Sequence, residues 1–284
     1  MTVLEAIKKT ADFFETKGVD SSRLQAELLL AHVLKMPRMK LYLNFERALT
    51  AAEVDAFREL VRRRGQREPL QHIVGSVSFC GLELASTRGA LIPRPETELL
   101  AQFGWDFLQQ HPAAAPSVFD FGTGTGCLPI SLAVKCPRAR LWAGDISSEA
   151  LALARENAAR HGVQDRIDFL ESDGFAGLAE GVRFDLIVSN PPYIASAEIA
   201  TLQPEVRDFD PRLALDGGTD GLEFYRILAG QGGARLNPGG KIMVEFGDGQ
   251  AGAIAEIFSS QNWVVEAIRQ DYSPRDRFLL ANRA

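Results

Sequence analysis

Cysteine is scarce in this chain. The three present in 284 residues, Cys80, Cys127 and Cys136, lie far apart and lack the short paired spacing of a zinc site. Each sits in an apolar or turn context that suits a small buried thiol, so neither a disulfide nor a metal is expected. Histidine numbers four, and His32 and His72 have no ligand-like partners nearby in sequence, which reads them as structural. No apolar run approaches the roughly 18 to 20 residues of a membrane span. The opening MTVLEAIKKTADFFE also lacks the apolar core of a secretory signal, so a cytoplasmic protein without a membrane partner is expected. Positive charge is short as well: the formal charge is −6, residues 1–75 carry 13 Lys+Arg against 10 Asp+Glu, and the remainder carries 18 against 27. A mildly basic front on an acidic body argues against broad duplex binding, which draws on clustered positive charge.

What is present is patterned. At 46% apolar, the chain suffices for one large core or two domains. Leu4, Ile7, Ala11 and Phe14 recur at helical spacing, as do Val54, Phe57, Leu60 and Val61, and Ser22 with Gln25 and Thr50 with Glu53 resemble capping boxes. Residues 1–70 therefore read as a small helical bundle, with Arg62-Arg63-Arg64 closing its last helix where cations complement the dipole, a reading favoured over a nucleic-acid patch. After Pro69, Ile73-Val74, Val77-Ser78-Phe79 and Leu82-Glu83-Leu84 around Cys80-Gly81 predict a β-hairpin linker over 71–92. Pro93-Arg94-Pro95-Glu96 then opens a helix through about Gln110. It is either a proline-started helix with an acidic first turn or a corner that sets Arg94 and Glu96 beside a ligand.

Over 93–284, strands alternate with helices, which predicts an α/β fold with a mostly parallel sheet. Val118–Phe121 is the first strand, followed by Gly122-Thr123-Gly124-Thr125-Gly126 and a helix from Cys127 to Val134. Alternate glycines let backbone approach a ligand, though a tight strand-to-helix turn uses them too. Leu141–Asp145 is the second strand, and its terminal carboxylate suits ribose hydroxyls or a helix cap. A helix from Ser147 to Arg160 follows, stopped by Gly162. Ile167–Leu170 is the third strand and leads to Asp173-Gly174-Phe175, where Asp173 either meets an exocyclic amine or caps a turn. Phe184–Val188 is the fourth. Pro238-Gly239-Gly240 turns into a fifth strand, Lys241–Phe246, and Trp263–Arg269 with Arg277–Asn282 form an antiparallel edge.

Asn190-Pro191-Pro192-Tyr193 follows the fourth strand, at the edge where open α/β sheets place chemistry. Successive prolines cannot continue a central strand and hold their carbonyls in fixed directions. The Asn190 amide oxygen and a proline-corner carbonyl together accept two N–H bonds of a planar amino group, with the Tyr193 ring against its face. A proline-stiffened turn uses the same residues. Four polar or glycine signals at equivalent strand ends favour a nucleoside cofactor beside a reacting amino group.

With Pro93-Arg94-Pro95-Glu96-Thr97-Glu98, Gly122 to Gly126, Asn190 to Tyr193 and Glu205-Val206 through Asp216-Gly217-Gly218-Thr219-Asp220-Gly221, the chain resembles the PrmC/HemK release-factor glutamine methyltransferases, among the class I S-adenosylmethionine-dependent enzymes. The resemblance implies a Rossmann-like sheet carrying a helical substrate-recognition domain. It implies S-adenosylmethionine as methyl donor, leaving as S-adenosylhomocysteine, with no metal. Cofactor contacts fall on Gly122 to Gly126, Asp145, Asp173, Gly174, Phe175 and Asn190. Asn190, Pro191, Pro192 and Tyr193 are the expected catalytic residues, and with Arg94 and Glu96 they are expected to bind substrate. The implied acceptor is the Gly-Gly-Gln glutamine of peptide-chain release factors, not nucleic acid; amino-methylation of adenine in nucleic acid, which shares Asn-Pro-Pro-Tyr, is the alternative. One departure stands out: Gly174 occupies a position where relatives often carry a bulky residue.

Overall fold

A computed structural model describes residues 1–283. In chain order its helices and strands are α1 (Val3–Thr16), α2 (Ser22–Val33), α3 (Arg38–Leu41), α4 (Ala51–Gly65), α5 (Leu70–Val74), β1 (Ser76–Phe79), β2 (Leu82–Ala85), α6 (Thr97–Gln110), β3 (Ser117–Phe121), α7 (Cys127–Lys135), β4 (Arg140–Asp145), α8 (Ser148–Arg160), β5 (Ile167–Glu171), β6 (Phe184–Ser189), α9 (Pro204–Arg207), α10 (Glu223–Gly232), β7 (Leu236–Glu245), α11 (Ala251–Ser260), β8 (Trp263–Gln270) and β9 (Asp276–Arg283). They fall into two units. One holds Met1–Ser76 with Gln203–Phe209; the other holds Val77–Leu202 and the chain from Asp210 onward.

The first unit is helical. Thr50 and Glu53 close a reciprocal capping box on α4, and Thr2 with Glu5 does the same on α1. The expected box at Ser22 and Gln25 does not form, because the residue before α2 is Ser21, left-handed at φ 51°, and the Ser22 hydroxyl donates to the Val19 carbonyl at 2.7 Å. Ile7, Phe14, Leu29, Leu30 and Phe57 fill the core. Ile73 and Val74 are not strand residues: they close α5, which Gly75 terminates in the left-handed region at φ 79°. Arg64 does more than end a helix. It is 3% exposed, and its Nη2 meets Glu205 Oε1 at 2.7 Å, while Arg67 grips both oxygens of the same carboxylate at 2.7 and 2.6 Å. Glu205 lies on α9, so a segment far along the sequence folds into the bundle.

In the second unit β1 and β2 form a hairpin that turns through Cys80 (φ 51°) and Gly81 (φ 77°). The main sheet has seven strands in the order β5-β4-β3-β6-β7-β9-β8, with β9 antiparallel to both its neighbours. The fifth strand begins earlier than the turn residues suggest. Phe184 pairs with Leu236 and Leu186 with Lys241, so Pro238-Gly239-Gly240 is accommodated as a bulge within β7 rather than a turn before it. Alternation along β3 sends Val118 into one core layer and Phe119 and Phe121 into the other. After β3 the chain winds outward through β4 and β5, then returns to lay β6 on the other side of β3. That reversal leaves a crevice at the carboxyl ends of β3 and β6.

Candidate active site

The register of β3 on β6 pairs Asp120 with Val188, so Gly122 and Asn190 leave the sheet side by side. Ser189 stitches the two ends, its hydroxyl donating to the Phe121 carbonyl at 2.7 Å in the buried interior. Gly122 (φ 76°) and Gly124 (φ 54°) have left-handed backbones, and nothing stands within 4 Å of where a Cβ would project from either. Such a loop turns bare backbone toward a ligand. Gly126 differs: a Cβ there would crowd Ile130 and Ala154 at 3.0 and 3.1 Å, so it serves the packing of α7 against α8.

Around the crevice lies a cavity of about 300 Å³, whose lining includes Gly122, Thr123, Gly124, Thr125, Asp145, Asp173, Gly174, Asn190, Pro192 and Arg94. Asp145 Oδ2 accepts the Gly124 amide at 2.8 Å and Oδ1 the Ser147 amide at 2.9 Å. Burial raises the Asp145 pKa, and these backbone bonds pull the other way. Gly174 (φ 59°) would set a Cβ 3.1 Å from the Phe121 ring, which explains why no bulky residue occupies it here. Several expected site residues lie off the lining. Phe175 is turned into the core, its ring 5.4 and 5.3 Å from those of Phe119 and Phe121. Tyr193 packs partly buried against the same core layer, which raises its pKa to about 12. Glu96 and Pro191 do not line the cavity either.

The segment after Asn190 is braced from outside. Ile194 donates its amide to Leu215 O at 3.0 Å and accepts that of Gly217 at 2.8 Å, and Gln250 donates to Tyr193 O at 2.9 Å. A Cβ on Gly217 would stand 2.8 Å from the Pro192 carbonyl oxygen, and one on Gly221 would collide with the Tyr193 carbonyl. The glycines of Asp216 to Gly221 are thus a close-approach surface that fixes the proline corner. With these carbonyls engaged or facing glycine, that of Pro191 takes no hydrogen bond among the described residues.

Several buried polar atoms in this region also lack protein partners. They are both oxygens of Asp120, the hydroxyls of Thr123 and Thr125, and Asn190 Oδ1, none within hydrogen-bond geometry of a protein partner, although the Thr123 hydroxyl lies near enough to Asp120 to favour its charged form and that of Thr125 does the same for Cys127. Buried polar groups are ordinarily satisfied, so such a cluster beside the cavity makes this a candidate ligand site. Burial lifts the Asp120 pKa to about 7. Asp120 carries no role in the motif reading; an acid inside a buried apolar strand is the signal that would have found it. The role of Thr97 and Glu245 is also absent from that reading. Asn190 Nδ2 donates to Thr97 Oγ1 at 3.1 Å, and the Thr97 hydroxyl donates to Glu245 Oε2 at 2.7 Å. Arg94 pairs with Asp210 at 2.7 Å.

Known proteins resemble this chain in sequence and in fold. Residues 5–75 match the PrmC N-terminal domain and residues 100–207 the methyltransferase small domain. A release factor glutamine methyltransferase from Geobacter sulfurreducens is 44% identical over 276 residues, covering 97% of this chain and 95% of the relative. One from Chlorobaculum tepidum is 44% identical over 284 residues, covering 98% and 96%. Among solved structures, the ribosomal protein L11 methylase of Lactobacillus delbrueckii subsp. bulgaricus superposes with a TM-score of 0.51 at 23% identity over 69% of this chain and 83% of that one, a likeness of fold. Identity at that level along nearly the whole length settles membership: the chain belongs to the release factor glutamine methyltransferase family.

Proposed function

We propose that this protein transfers a methyl group from S-adenosylmethionine to the side-chain amide nitrogen of the glutamine in a release factor's Gly-Gly-Gln motif. The observation that carries the reading is the buried, unpartnered Asn190 Oδ1 at the end of β6, on a residue that lines the cavity beside the glycine loop. Glycine-loop backbone, Asp145 and Asp173 would hold the donor, and the hydroxyls of Thr123 and Thr125, which line the cavity, fit its polar functions. When bound, the donor supplies an electrophilic methyl carbon on a sulfonium.

Carboxamide nitrogen is a poor nucleophile because its lone pair is delocalised into the carbonyl, so the residues must orient it and meet its developing charge. Asn190 Oδ1 and the Pro191 carbonyl would each accept one N–H bond, aiming the lone pair outward. Dipoles fixed in advance cost no reorganisation during reaction and contribute roughly 3 to 4 kcal/mol per group. The nitrogen then sheds a proton to water. A glutamate would oppose carboxylate oxygen to carbonyl oxygen and offer no nucleophile. The helical unit is the substrate-recognition domain in this reading.

Incubation with S-adenosylmethionine and a release factor, followed by mass spectrometry of the digest, should place one methyl on that glutamine and none on a Gln→Glu factor. Methyl found on duplex DNA adenine, or on the Gln→Glu factor, would overturn the assignment.

A further inference from the structure

An asparagine amide presents either an acceptor or a donor depending on which way it is turned, and the hydrogen-bond network decides. Asn190 must present oxygen for the proposed reaction. Thr97, at the start of α6, and Glu245, at the end of β7, are both buried, at 2% and 1% exposure. A threonine hydroxyl has a single proton to donate. An ionised Glu245 can only accept, so that proton goes to Glu245 Oε2 at 2.7 Å, and Thr97 Oγ1 can then only accept from Asn190 at 3.1 Å. The amide end facing Thr97 is therefore the NH2. Oδ1 is left turned away from Thr97, buried and without a protein partner. Glu245 is itself held in place, since the buried Tyr225 hydroxyl donates to its backbone carbonyl at 2.8 Å.

We infer that Thr97 and Glu245 are positioning residues that fix the polarity of the Asn190 amide, and that ionisation of Glu245 switches that polarity on. The inference rests on the function proposed above. When Glu245 binds a proton from solvent, its O–H donates to Thr97, Thr97 donates onward, and the Asn190 amide turns to offer its oxygen to Thr97. The acceptor for the substrate N–H is lost. The groups electrostatically coupled to Glu245 are Arg277 from β9, Arg94 and Glu96 from the corner before α6, and the hydroxyls of Tyr193 and Tyr225. Burial pushes Glu245 up to about 7, against the pull of the Thr97 bond and of Arg277 and Arg94, while Glu96 adds to the rise. Turnover should accordingly be lost as pH falls through about 7.

The test compares Thr97→Val, which removes the hydroxyl, with Thr97→Ser, which keeps it. Calorimetry with S-adenosylmethionine serves as the control for folding. Thr97→Val should lower kcat for release-factor methylation by at least about 30-fold with donor affinity within about threefold of wild type, a loss below the roughly 100- to 1,000-fold for removing a transition-state donor outright because Thr97 acts through Asn190. Thr97→Ser should recover kcat to within about threefold. A second readout needs no turnover: the Asn190 side-chain amide resonances of the wild type should titrate near pH 7 and those of Thr97→Val should not. If the wild type methylates no release factor, the proposed function fails, and this titration still judges the relay. A Thr97→Val enzyme with wild-type kcat, a Thr97→Ser enzyme as impaired as Thr97→Val, or an Asn190 amide that does not titrate would overturn the inference.

Discussion

Asp145 holds the glycine loop by accepting the amide hydrogen of Gly124 at 2.8 Å, so a carboxylate at one strand end sets the backbone at its neighbour's. Loss of this residue would loosen the loop and, in the proposed function, remove a contact to the donor. Asp145→Ala should weaken S-adenosylmethionine binding by roughly 1.5 to 3 kcal/mol, the scale of a charge-assisted hydrogen bond. Calorimetry is the measurement, and an unchanged Kd would remove Asp145 from the site.

Asn190→Ala should separate binding from chemistry. In the proposed reaction the amide oxygen acts most strongly as charge develops on nitrogen, so kcat should drop on the order of 100-fold or more while donor affinity holds. Equal losses in kcat and affinity would assign Asn190 to holding the donor.

The proline corner can be disturbed from behind. Gly221 (φ 74°) and Gly239 (φ 78°) share a left-handed backbone, but only at Gly221 would a Cβ strike the Tyr193 carbonyl, Gly239 facing open space. Both alanine variants should lose about 1 kcal/mol or more to backbone strain. Only Gly221→Ala should also lose turnover; similar kinetics in both would show that the brace does not transmit to the site.

Asp120 should tax stability at alkaline pH. Its carboxyl sits near 3.8 unfolded and about 7 folded, so across that window the native state keeps a proton the unfolded state has released, and stability falls as pH rises. The full penalty is at most roughly 4 kcal/mol. Asp120→Asn should therefore raise the melting temperature at pH 8.5 and leave it nearly unchanged at pH 4, read by thermal denaturation of the ligand-free protein. A gain of equal size at both pH values would sink this account.

Glu205 behaves with the opposite sign. Burial pushes its carboxyl up, but the bonds from Arg67 and Arg64 outweigh burial and leave it below the ordinary 4.5. Its stabilisation is present above that value and disappears as pH falls through the lower folded one. Glu205→Ala strands the buried Arg64, and breaking a buried pair from one side costs about 3 to 5 kcal/mol. Denaturant melts at neutral pH should show this loss, and the Glu205→Ala, Arg67→Ala double variant should lose less than the two single changes combined.

Much of this arrangement is written in local pattern. The strand ends at Gly122, Asp145, Asp173 and Asn190 each follow a short apolar run, and a run of that kind fixes where a buried strand stops. What local pattern does not carry is pairing at long range. Thr97 reads as one more residue in the first turn of a helix and Glu245 as the polar end of a strand; only the register of β6 on β7 brings Glu245 beside Asn190. Phe175 misleads for the same reason. An aromatic next to a site glycine looks like a ligand platform, but the rings of Phe119 and Phe121 claim it for the core. Ser22 and Gln25 fit a capping pattern as well as Thr50 and Glu53 do, and the left-handed Ser21 shifts the helix start out of phase.

The seven residues from Gln203 to Phe209 fold with the helical unit although the chain on either side belongs to the sheet. The two units are therefore not beads on a string, since the polypeptide passes from the first to the second, back, and over again. No single cut yields either one whole. A fragment beginning at Val77 retains Glu205 without Arg64 or Arg67, and a fragment ending at Ser76 retains the arginines without their carboxylate. Recombination between relatives carries the same constraint: a chimera joined near residue 76 works only if α4 and α9 come from compatible parents, which ties the inheritance of the front of the gene to a short stretch two-thirds of the way along it.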